Sequence, residues 1–325
     1  METFLQLVYG VVGIALLYYG AEYLIRGGVS IANRLRIPPL VIGLTLVAFG
    51  TSAPELCVSV DAALKGSGDI SVGNVVGSNI CNIALILGLS ALIATLNVNR
   101  KLLRLDMPVM MASALALCVC CLAWGGVGRW QALTLLGGLV LYLGWCLYAG
   151  RRDGASGEED EEDESLSVRY TVPVALLCVV GGLGGLVLGA KLFVGCAVHI
   201  ARLLSVSEAV IGLTVVAVGT SLPELATSVV AALRGEKDIA VGNVVGSNIF
   251  NVMCILGIAP LISPISSPGI GLVDLGLMAG LSVLLYPMMR RDLVIGRLEG
   301  AALVLVYVAY LAWLVWSSVT CPLPV

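Results

Sequence analysis

The sequence predicts an all-α polytopic membrane protein whose ten transmembrane helices form two inverted five-helix repeats. Three observations predict this fold class. Hydrophobic residues make up 59% of the 325 residues and charged residues only 12%, which leaves too little charge to cover a soluble protein of this length. Apolar stretches of about twenty residues recur from one end of the chain to the other. The two halves of the sequence also contain similar segments, which indicates an internal repeat.

Each apolar stretch is long enough to cross about 30 Å of hydrocarbon as a helix. In chain order, we predict spans at residues 3–24, 38–64, 69–96, 105–124, 129–149, 171–198, 207–233, 238–262, 271–289 and 296–317. The first stretch has no basic residue before it and no small-residue cleavage site after it, so we interpret it as a retained helix and not as a signal peptide. We therefore expect an integral membrane protein. In a bacterium, it would lie in the cytoplasmic (inner) membrane.

The loops between these spans differ in charge. Fourteen Lys and Arg residues fall on one side of the predicted membrane, and only Lys65, Arg129 and Arg202 fall on the other. Because loops rich in Lys and Arg remain in the cytoplasm, the side with fourteen is predicted to be cytoplasmic. An even number of spans then places both termini outside.

The internal repeat keeps one fixed offset along the chain. Residues 41–88 return as residues 210–257, and 34 of these 48 positions are identical, which chance does not supply. Since each half contains an odd number of spans, the second copy must enter the membrane in the opposite orientation, which places a site near the midplane. We predict a first repeat at 1–150, an acidic cytoplasmic linker at 151–169 and a second repeat at 170–325.

Both copies contain a motif that predicts a broken helix, GTSAPEL in the first and GTSLPEL in the second. Pro54 and Pro223 lack an N–H and clash with the preceding turn, so the helix must break or kink there. We expect the carbonyls of residues 48–51 and 217–220 to lose their helical partners and become available to a ligand. Non-helical backbone at membrane depth survives only where it is buried in protein or lines a cavity.

Polar side chains surround each predicted break. Glu55 and Glu224 place one carboxylate each in segments nearly free of other charge, which usually marks an ion or proton path. Hydroxyl and amide groups accompany them in both copies: Thr51, Ser52, Ser78 and Asn82 in the first, and Thr220, Ser221, Ser247 and Asn251 in the second. Oxygen donors with two negative charges suit Ca²⁺ or Na⁺ better than Zn²⁺ or copper.

Other repeated residues are interpreted as structural. Four glycines should let the helix after the motif approach the broken helix closely. They are Gly73, Gly77, Gly242 and Gly246. Asp69 and Asp238 each follow a polar turn and open a helix, so we interpret them as N-caps and not as ligands. The acidic run at 158–164 lacks the spacing of an EF-hand, and we interpret it as a solvated linker.

The paired motifs, GTSAPEL with VGNVVGSNICN and GTSLPEL with VGNVVGSNIFN, resemble the two alpha-repeats of the cation/calcium exchanger superfamily. The resemblance extends over nearly the whole chain and is greatest to bacterial and archaeal sodium/calcium exchangers. It implies a ten-helix fold that holds ions between its second, third, seventh and eighth helices. It also implies alternating access, in which the first and sixth helices slide across that core. It implies neither an enzyme nor a cofactor.

The resemblance further implies which residues bind the transported ions. The family's liganding pattern falls on Ala48, Thr51, Ser52, Glu55, Ser78, Asn82, Ala217, Thr220, Ser221, Glu224, Ser247 and Asn251. It implies that the two alanines act through backbone carbonyls and that the two glutamates bridge a calcium site and flanking sodium sites. The implied partners are Ca²⁺ and Na⁺ in a lipid bilayer, without nucleic acid, and the oligomeric state stays open.

Sodium/calcium antiport is the favoured function, and three alternatives are open. Proton/calcium antiport would use the same carboxylates. A passive cation channel is disfavoured because two inverted copies suit alternating access. An intramembrane hydrolase is disfavoured because no His or Lys lies beside the motif serines to act as a base. Potassium-dependent relatives carry an aspartate where this chain has Asn251, so the resemblance implies exchange that does not need potassium.

Overall fold

The computed structural model describes residues 2–35, 37–155, 170–204 and 217–320, and nearly all of them are helical. In chain order the helices are α1 (Glu2–Leu35), α2a (Pro39–Thr51), α2b (Ala53–Leu64), α3 (Gly68–Ile93), α4 (Leu102–Trp124), α5 (Arg129–Ala155), α6 (Val172–Leu203), α7a (Ala217–Thr220), α7b (Leu222–Leu233), α8 (Lys237–Ile262), α9 (Leu272–Asp292) and α10 (Arg297–Thr320). By length and composition, eight helices of this described part could span a membrane, and the bent pair α2a–α2b makes a ninth. The seventh predicted span lies partly outside it. The all-α polytopic class is confirmed, and a count of ten is consistent with the structure.

Most predicted span boundaries fall within three residues of the observed helix ends, but α1, α5 and α6 run further. The prediction ended the first span at residue 24, whereas α1 continues to Leu35. Arg26 lies within the helix and pairs with Glu22 one turn earlier, a spacing that favours the helix slightly. Hydropathy marks where side chains become polar and not where the backbone leaves the helix. Similarly, α5 extends to Ala155, into the predicted linker, whose residues 156–169 lie outside the described part.

The longest described helices, α1 and α6, pack against each other in antiparallel directions through glycines that recur every second turn. A Cβ atom on Gly13 would lie 2.9 Å from the carbonyl oxygen of Gly189, and one on Gly20 would lie 2.9 Å from that of Gly182. Any larger side chain would push the two helices apart. Small residues at a helix interface let backbones approach closely within a membrane, so α1 and α6 form one tight pair.

Both predicted helix breaks are present. The axis bends by 45° between α2a and α2b, where Ser52 leaves helical geometry two residues before Pro54. In the second half, Ser221 interrupts the helix two residues before Pro223. The break falls ahead of each proline because the proline ring clashes with the preceding turn and supplies no N–H.

Four helices of the described part also contain π-helical turns. They lie in α2a at Gly43–Val47, in α3 at Cys81–Leu87, in α4 at Leu102–Asp106 and in α8 at Asn251–Ile255. The turns in α3 and α8 include Asn82 and Asn251. A π turn widens the helix and often occurs at a functional site, so the backbone departs from regular geometry next to the predicted ligands.

The glycines of α8 bring this helix against a broken helix, but against α2a of the opposite half and not against α7b, which precedes α8 in the chain. A Cβ atom on Gly246 would lie 2.7 Å from the carbonyl oxygen of Leu44, and one on Gly242 would lie 3.1 Å from that of Leu40. The repeat offset relates these two leucines to residues 209 and 213, which lie outside the described part. The equivalent contacts of Gly73 and Gly77 therefore stay a prediction.

Two short antiparallel ladders join the halves. β1 (Leu96–Asn97) pairs with β4 (Val294–Ile295), and β2 (Gly126–Val127) pairs with β3 (Ile265–Ser266). Because α4 separates β1 from β2 along the chain, the two ladders lie at opposite ends of the bundle. Each ladder pairs one strand of the first half with one of the second. Two-residue strands carry no recognisable sequence pattern, and the sequence did not predict them.

Candidate cation site

The carboxylates of Glu55 and Glu224 lie fully buried between the two halves. Each is bound by a serine of the other half. Ser52 donates to Oε1 of Glu224 at 3.0 Å, and Ser221 donates to Oε1 of Glu55 at 3.2 Å. Ser221 also lies 3.3 Å from the hydroxyl of Ser78. The two broken helices therefore meet at the site, and each helps to position the charge of the other.

The backbone at the first break keeps more hydrogen bonds than the sequence predicted. The carbonyl oxygen of Ala48 accepts the Ser52 N–H at 3.0 Å and the Thr51 hydroxyl at 3.3 Å. The expectation that this carbonyl loses its partner is wrong, because the helix completes a regular turn before it bends. In the second half, the Ser221 N–H donates to Val218 at 3.1 Å, one residue further along than the equivalent bond. The two breaks thus differ in detail.

Two asparagines that the sequence analysis did not select hold the backbone of both glutamates. Asn74 donates to the carbonyl of Glu55 at 3.1 Å and to a serine one turn later at 2.9 Å. Asn243 makes the same bonds in the second half, to the carbonyl of Glu224 at 3.3 Å and to a serine at 2.9 Å. Its side-chain oxygen also accepts from Thr51 at 3.3 Å. Both are identical polar positions within the apolar repeat, a signal that could have identified them.

The predicted ligands on α3 and α8 are buried in the same region. Ser78, Asn82, Ser247 and Asn251 are each at most 3% exposed. Thr220 is half-buried at the end of α7a, and only the backbone of Ala217 belongs to the described part. The two broken helices, α2a–α2b and α7a–α7b, thus bring the predicted polar residues together with those of α3 and α8.

Five buried oxygen atoms of this cluster have no hydrogen-bond partner among the described residues. They are Oε2 of Glu55, Oε2 of Glu224, Oδ1 of Asn82, Oδ1 of Asn251 and Oγ of Ser247. A buried polar atom without a partner costs about 1–3 kcal/mol, and native proteins keep few of them. A group of such oxygens, with one from each carboxylate, fits the ligand preference of a hard cation such as Ca²⁺ or Na⁺.

The cluster contains two acidic groups, and its other donors are neutral. Within the described ranges, no group of three or more His, Cys, Asp or Glu side chains could hold a metal ion. Calcium affinity rises with the number of charged ligands. A site of two carboxylates with hydroxyl and amide oxygens therefore suits a cation that binds reversibly.

Asp69 and Asp238 are not N-caps, contrary to the prediction. The N-cap positions are Ser67 and Glu236, and the two aspartates lie in the first turn, where the helix dipole favours negative charge. Asp69 accepts the Gly269 N–H at 2.8 Å. Its carboxylate thus joins the start of α3 to the loop before α9, and this long-range contact could not be read from the local sequence.

Comparison with known proteins places this geometry in a family. The family model described as "Sodium/calcium exchanger protein" matches residues 5–148 and 174–316. The chain is 37% identical over 314 residues to the inner membrane protein YrbG of Escherichia coli, covering 95% of this chain and 96% of YrbG. It is 33% identical over 338 residues to the sodium/calcium exchanger MaX1 of Methanosarcina acetivorans, covering 92% of this chain and 95% of MaX1.

A solved structure has the same fold. The sodium-calcium exchanger NCX_Mj matches with a TM-score of 0.80 at 33% sequence identity, covering 95% of this chain and 98% of that chain. The family model and this structural match both extend over nearly the whole chain. This integral membrane protein therefore belongs to the sodium/calcium exchanger family.

Proposed function

We propose that this protein exchanges Na⁺ for Ca²⁺ across the membrane by alternating access, and that the twelve residues identified from the sequence bind the ions. One observation carries the proposal. Glu55 and Glu224 are both fully buried, and a serine of the opposite half donates to one oxygen of each carboxylate. The second oxygen of each has no partner within the described part of the chain. The names and titles of MaX1 and NCX_Mj support the same ion pair.

The charge of the cluster supports one divalent or two monovalent ions. Two ionised carboxylates would be neutralised by one Ca²⁺ or by two Na⁺. Burial of an unbalanced ion costs several kcal/mol. The same buried cluster can therefore hold either cargo in turn, which is what an exchanger requires.

Proton/calcium antiport is the alternative coupling. Glu55 and Glu224 could each carry a proton in place of Na⁺. A proton needs a single oxygen, whereas Na⁺ needs several, and the hydroxyl groups of Thr51, Ser52 and Ser221 supply neutral oxygens beside the carboxylates. This surplus of neutral donors favours sodium.

Potassium independence follows from the two neutral amides. Asn82 and Asn251 add oxygen ligands without negative charge, so the site has no third carboxylate to balance a further cation. We therefore propose that exchange does not require K⁺.

The α1–α6 pair is placed to alternate access to the site. A Cβ atom on Gly50, in the first broken helix, would lie 2.6 Å from Leu183 of α6. One on Gly219, in the second broken helix, would lie 2.5 Å from Val194 of the same helix. Because α6 touches both breaks and is closely packed on α1, sliding this pair would uncover one break as it covers the other.

The chain is proposed to consist of repeats at 1–150 and 170–325, with a cytoplasmic linker at 151–169 and both termini outside. The excess of Lys and Arg on one side supports this orientation, and the name of YrbG supports an inner membrane. A Gly157→Cys variant on a cysteine-free background should react with a membrane-impermeant thiol reagent only from the cytoplasmic face. Labelling from outside would reverse the orientation.

The function is tested by uptake of ⁴⁵Ca²⁺ into proteoliposomes under a Na⁺, H⁺ or K⁺ gradient, or with no gradient. We expect uptake driven by an outward Na⁺ gradient in the absence of K⁺. Uptake driven by an H⁺ gradient alone would establish the alternative coupling. Calcium entry that continues without any opposing ion would identify a channel and contradict the proposal.

A further inference from the structure

Four buried asparagines of α3 and α8 bind each other in two crossed pairs. Asn82 donates its amide N–H to Oδ1 of Asn248 at 3.4 Å, and Asn251 donates to Oδ1 of Asn79 at 3.1 Å. All four side chains are at most 2% exposed. Asn79 and Asn248 occupy equivalent positions of the two repeats, as do Asn82 and Asn251. We call Asn82 and Asn251, which are predicted ligands, the inner amides, and Asn79 and Asn248 the outer amides.

The NH₂ group of each of these two amides, Asn79 and Asn248, donates to a methionine sulfur, and that of Asn79 also donates to the backbone carbonyl of Asn248 at 3.4 Å. Asn248 donates to Sδ of Met110 at 3.7 Å, and Asn79 donates to Sδ of Met278 at 3.9 Å. Met110 lies on α4 and Met278 on α9, and both are at most 1% exposed. Two helices that contribute no predicted ligand thus contact the amides behind the ligands.

A thioether can accept a hydrogen bond but cannot donate one. The sulfur therefore requires the outer amide to present its NH₂ group, which turns the outer amide oxygen toward the inner asparagine. That oxygen in turn accepts from the inner NH₂ group, so the inner oxygen faces away from the pair. The inner oxygens are Oδ1 of Asn82 and Oδ1 of Asn251, which have no protein partner in the described part of the chain.

We propose that Met110 and Met278, acting through Asn248 and Asn79, are positioning residues that hold the amide oxygens of Asn82 and Asn251 toward the transported cation. A carboxamide can exchange the places of its oxygen and its NH₂ group with almost no change of shape. The turned amide would present hydrogen atoms to a positive ion. A hydroxyl in place of the sulfur could donate as well as accept, and it would permit this turn. The inference rests on the proposed cation site.

The test compares Met110→Leu and Met278→Leu with matched controls on the same helices. Met→Leu conserves volume and apolar character, and it removes the acceptor. Met107→Leu on α4 and Met289→Leu on α9 are the controls, because both residues are fully buried and neither belongs to the relay. Calcium affinity is measured by the KM of ⁴⁵Ca²⁺ flux and by the shift of the thermal midpoint on adding Ca²⁺.

We expect Met110→Leu to raise the KM for Ca²⁺ about fivefold, with the maximal rate and the midpoint without calcium nearly unchanged. Met278→Leu should raise the KM less, because the NH₂ group of Asn79 keeps the backbone carbonyl of Asn248 as an acceptor. In an Asn82→Ala background, Met110→Leu should change KM less than about twofold, because the group it orients is gone. Asn248→Ala serves as a second background and should give the same result.

Equal effects in Met107→Leu and Met110→Leu, or an undiminished effect in both alanine backgrounds, would overturn the relay. Failure of the relay is distinguishable from failure of the proposed function. If wild-type protein shows neither calcium flux nor stabilisation by Ca²⁺, the cation site itself is wrong. If wild type binds Ca²⁺ and the two methionine variants bind it equally well, only the relay is wrong.

Discussion

The two halves of the protein make equivalent contacts at the buried glutamates, the centre of the molecule, and different contacts around Glu22 and Lys191, at its edge. At the centre, Ser52 and Ser221 each bind the glutamate of the opposite half. At the edge, residues related by the same repeat offset carry opposite charge. Glu22 on α1 corresponds to Lys191 on α6. Because the central bonds cross between the halves, a change in either copy alters the contacts of the other, whereas the edge residues lie outside these crossed bonds and are free to differ.

The difference in charge changes how the α1–α6 pair is held against the broken helices. Glu22 is nearly buried and binds Arg234, at the end of α7b, at 2.6 Å. The equivalents of these residues are Lys191 and Lys65, which are both basic and cannot pair. Lys65 instead binds Asp61 on its own helix at 2.6 Å. An ion pair therefore joins α1 to α7b at one end of the molecule, and its counterpart between α6 and α2b cannot form.

The outer helices show the same bond in two environments. Tyr142 donates to Asp106 at 2.9 Å, and Tyr310 donates to Asp274 at 2.7 Å. Each bond joins two consecutive long helices, and the tyrosine follows its aspartate at the same separation in both halves. Asp106 is 5% exposed, whereas Asp274 lies in the first turn of α9 and also accepts the Gly271 N–H at 3.2 Å. Asp106 therefore depends more on its tyrosine.

The strongest test of the central symmetry is removal of either charge. Glu55→Gln and Glu224→Gln should each abolish calcium transport, because a divalent ion left incompletely neutralised in a buried cavity costs several kcal/mol. The measurement is ⁴⁵Ca²⁺ flux in proteoliposomes. Asp61→Asn, an exposed carboxylate on the same helix as Glu55, is the control and should retain flux. Full activity in one glutamine variant would show that the halves do not share one site.

Voltage dependence tests the charge of the site. Because Asn82 and Asn251 are neutral, only Glu55 and Glu224 supply negative charge, and the effect of voltage reports the net charge that is moved in each cycle. If three Na⁺ exchange for one Ca²⁺, one net charge crosses per cycle. That charge is worth about 2.3 kcal/mol per 100 mV, so an inside-negative potential should favour calcium extrusion. Flux is measured at potentials set by valinomycin. Voltage-insensitive flux would indicate electroneutral exchange of two Na⁺, or two H⁺, for each Ca²⁺.

The serines should differ even though they are equivalent by sequence. Ser221→Ala removes bonds to Glu55 and to Ser78, whereas Ser52→Ala removes one to Glu224. A hydrogen bond to a charged group contributes about 1.5–3 kcal/mol. We expect about a tenfold or greater rise in the KM for Ca²⁺ in either variant, with the larger rise for Ser221→Ala. A larger effect at Ser52 would contradict the geometry.

The tyrosines should differ in stability and not in transport. Tyr142→Phe leaves Asp106 buried without its hydroxyl partner and should lower the free energy of unfolding by about 1–3 kcal/mol. Tyr310→Phe should cost less, because Asp274 keeps its backbone partner. Thermal midpoints in detergent compare the two variants. Equal midpoints would show that burial of Asp106 is not decisive.

The smallest effect is expected at the edge. Glu22→Gln leaves Arg234 without its carboxylate, and a partly exposed ion pair contributes up to about 1 kcal/mol. The thermal midpoint should fall slightly, and it should become less sensitive to salt, because salt screens such pairs. Lys191→Gln, at the equivalent position of α6, is the control and should change neither. The same response in both variants would remove the proposed asymmetry.

The sequence by itself determined most of the fold. Long apolar runs identify membrane spans because the bilayer core tolerates only helices with satisfied backbones. The constant offset between the repeats and the odd number of spans in each half determine the inverted arrangement. Pro54 and Pro223 determine where the helices break, and Glu55 and Glu224 are conspicuous as buried charges. All of these are properties of one segment or of a spacing along the chain.

Only the tertiary structure decided which groups meet. The crossed serine–glutamate bonds, the amides bound to Met110 and Met278 and the pair of Glu22 with Arg234 all join segments far apart in sequence. The extent of α1 beyond residue 24 and the partner of Asp69 likewise depended on contacts elsewhere in the molecule. A side chain's type states what it can bind, but the crossing of helices decides which groups come within reach of it. Hydrogen bonds act only over about 3 Å, so the sequence could name candidate ligands and could not arrange them.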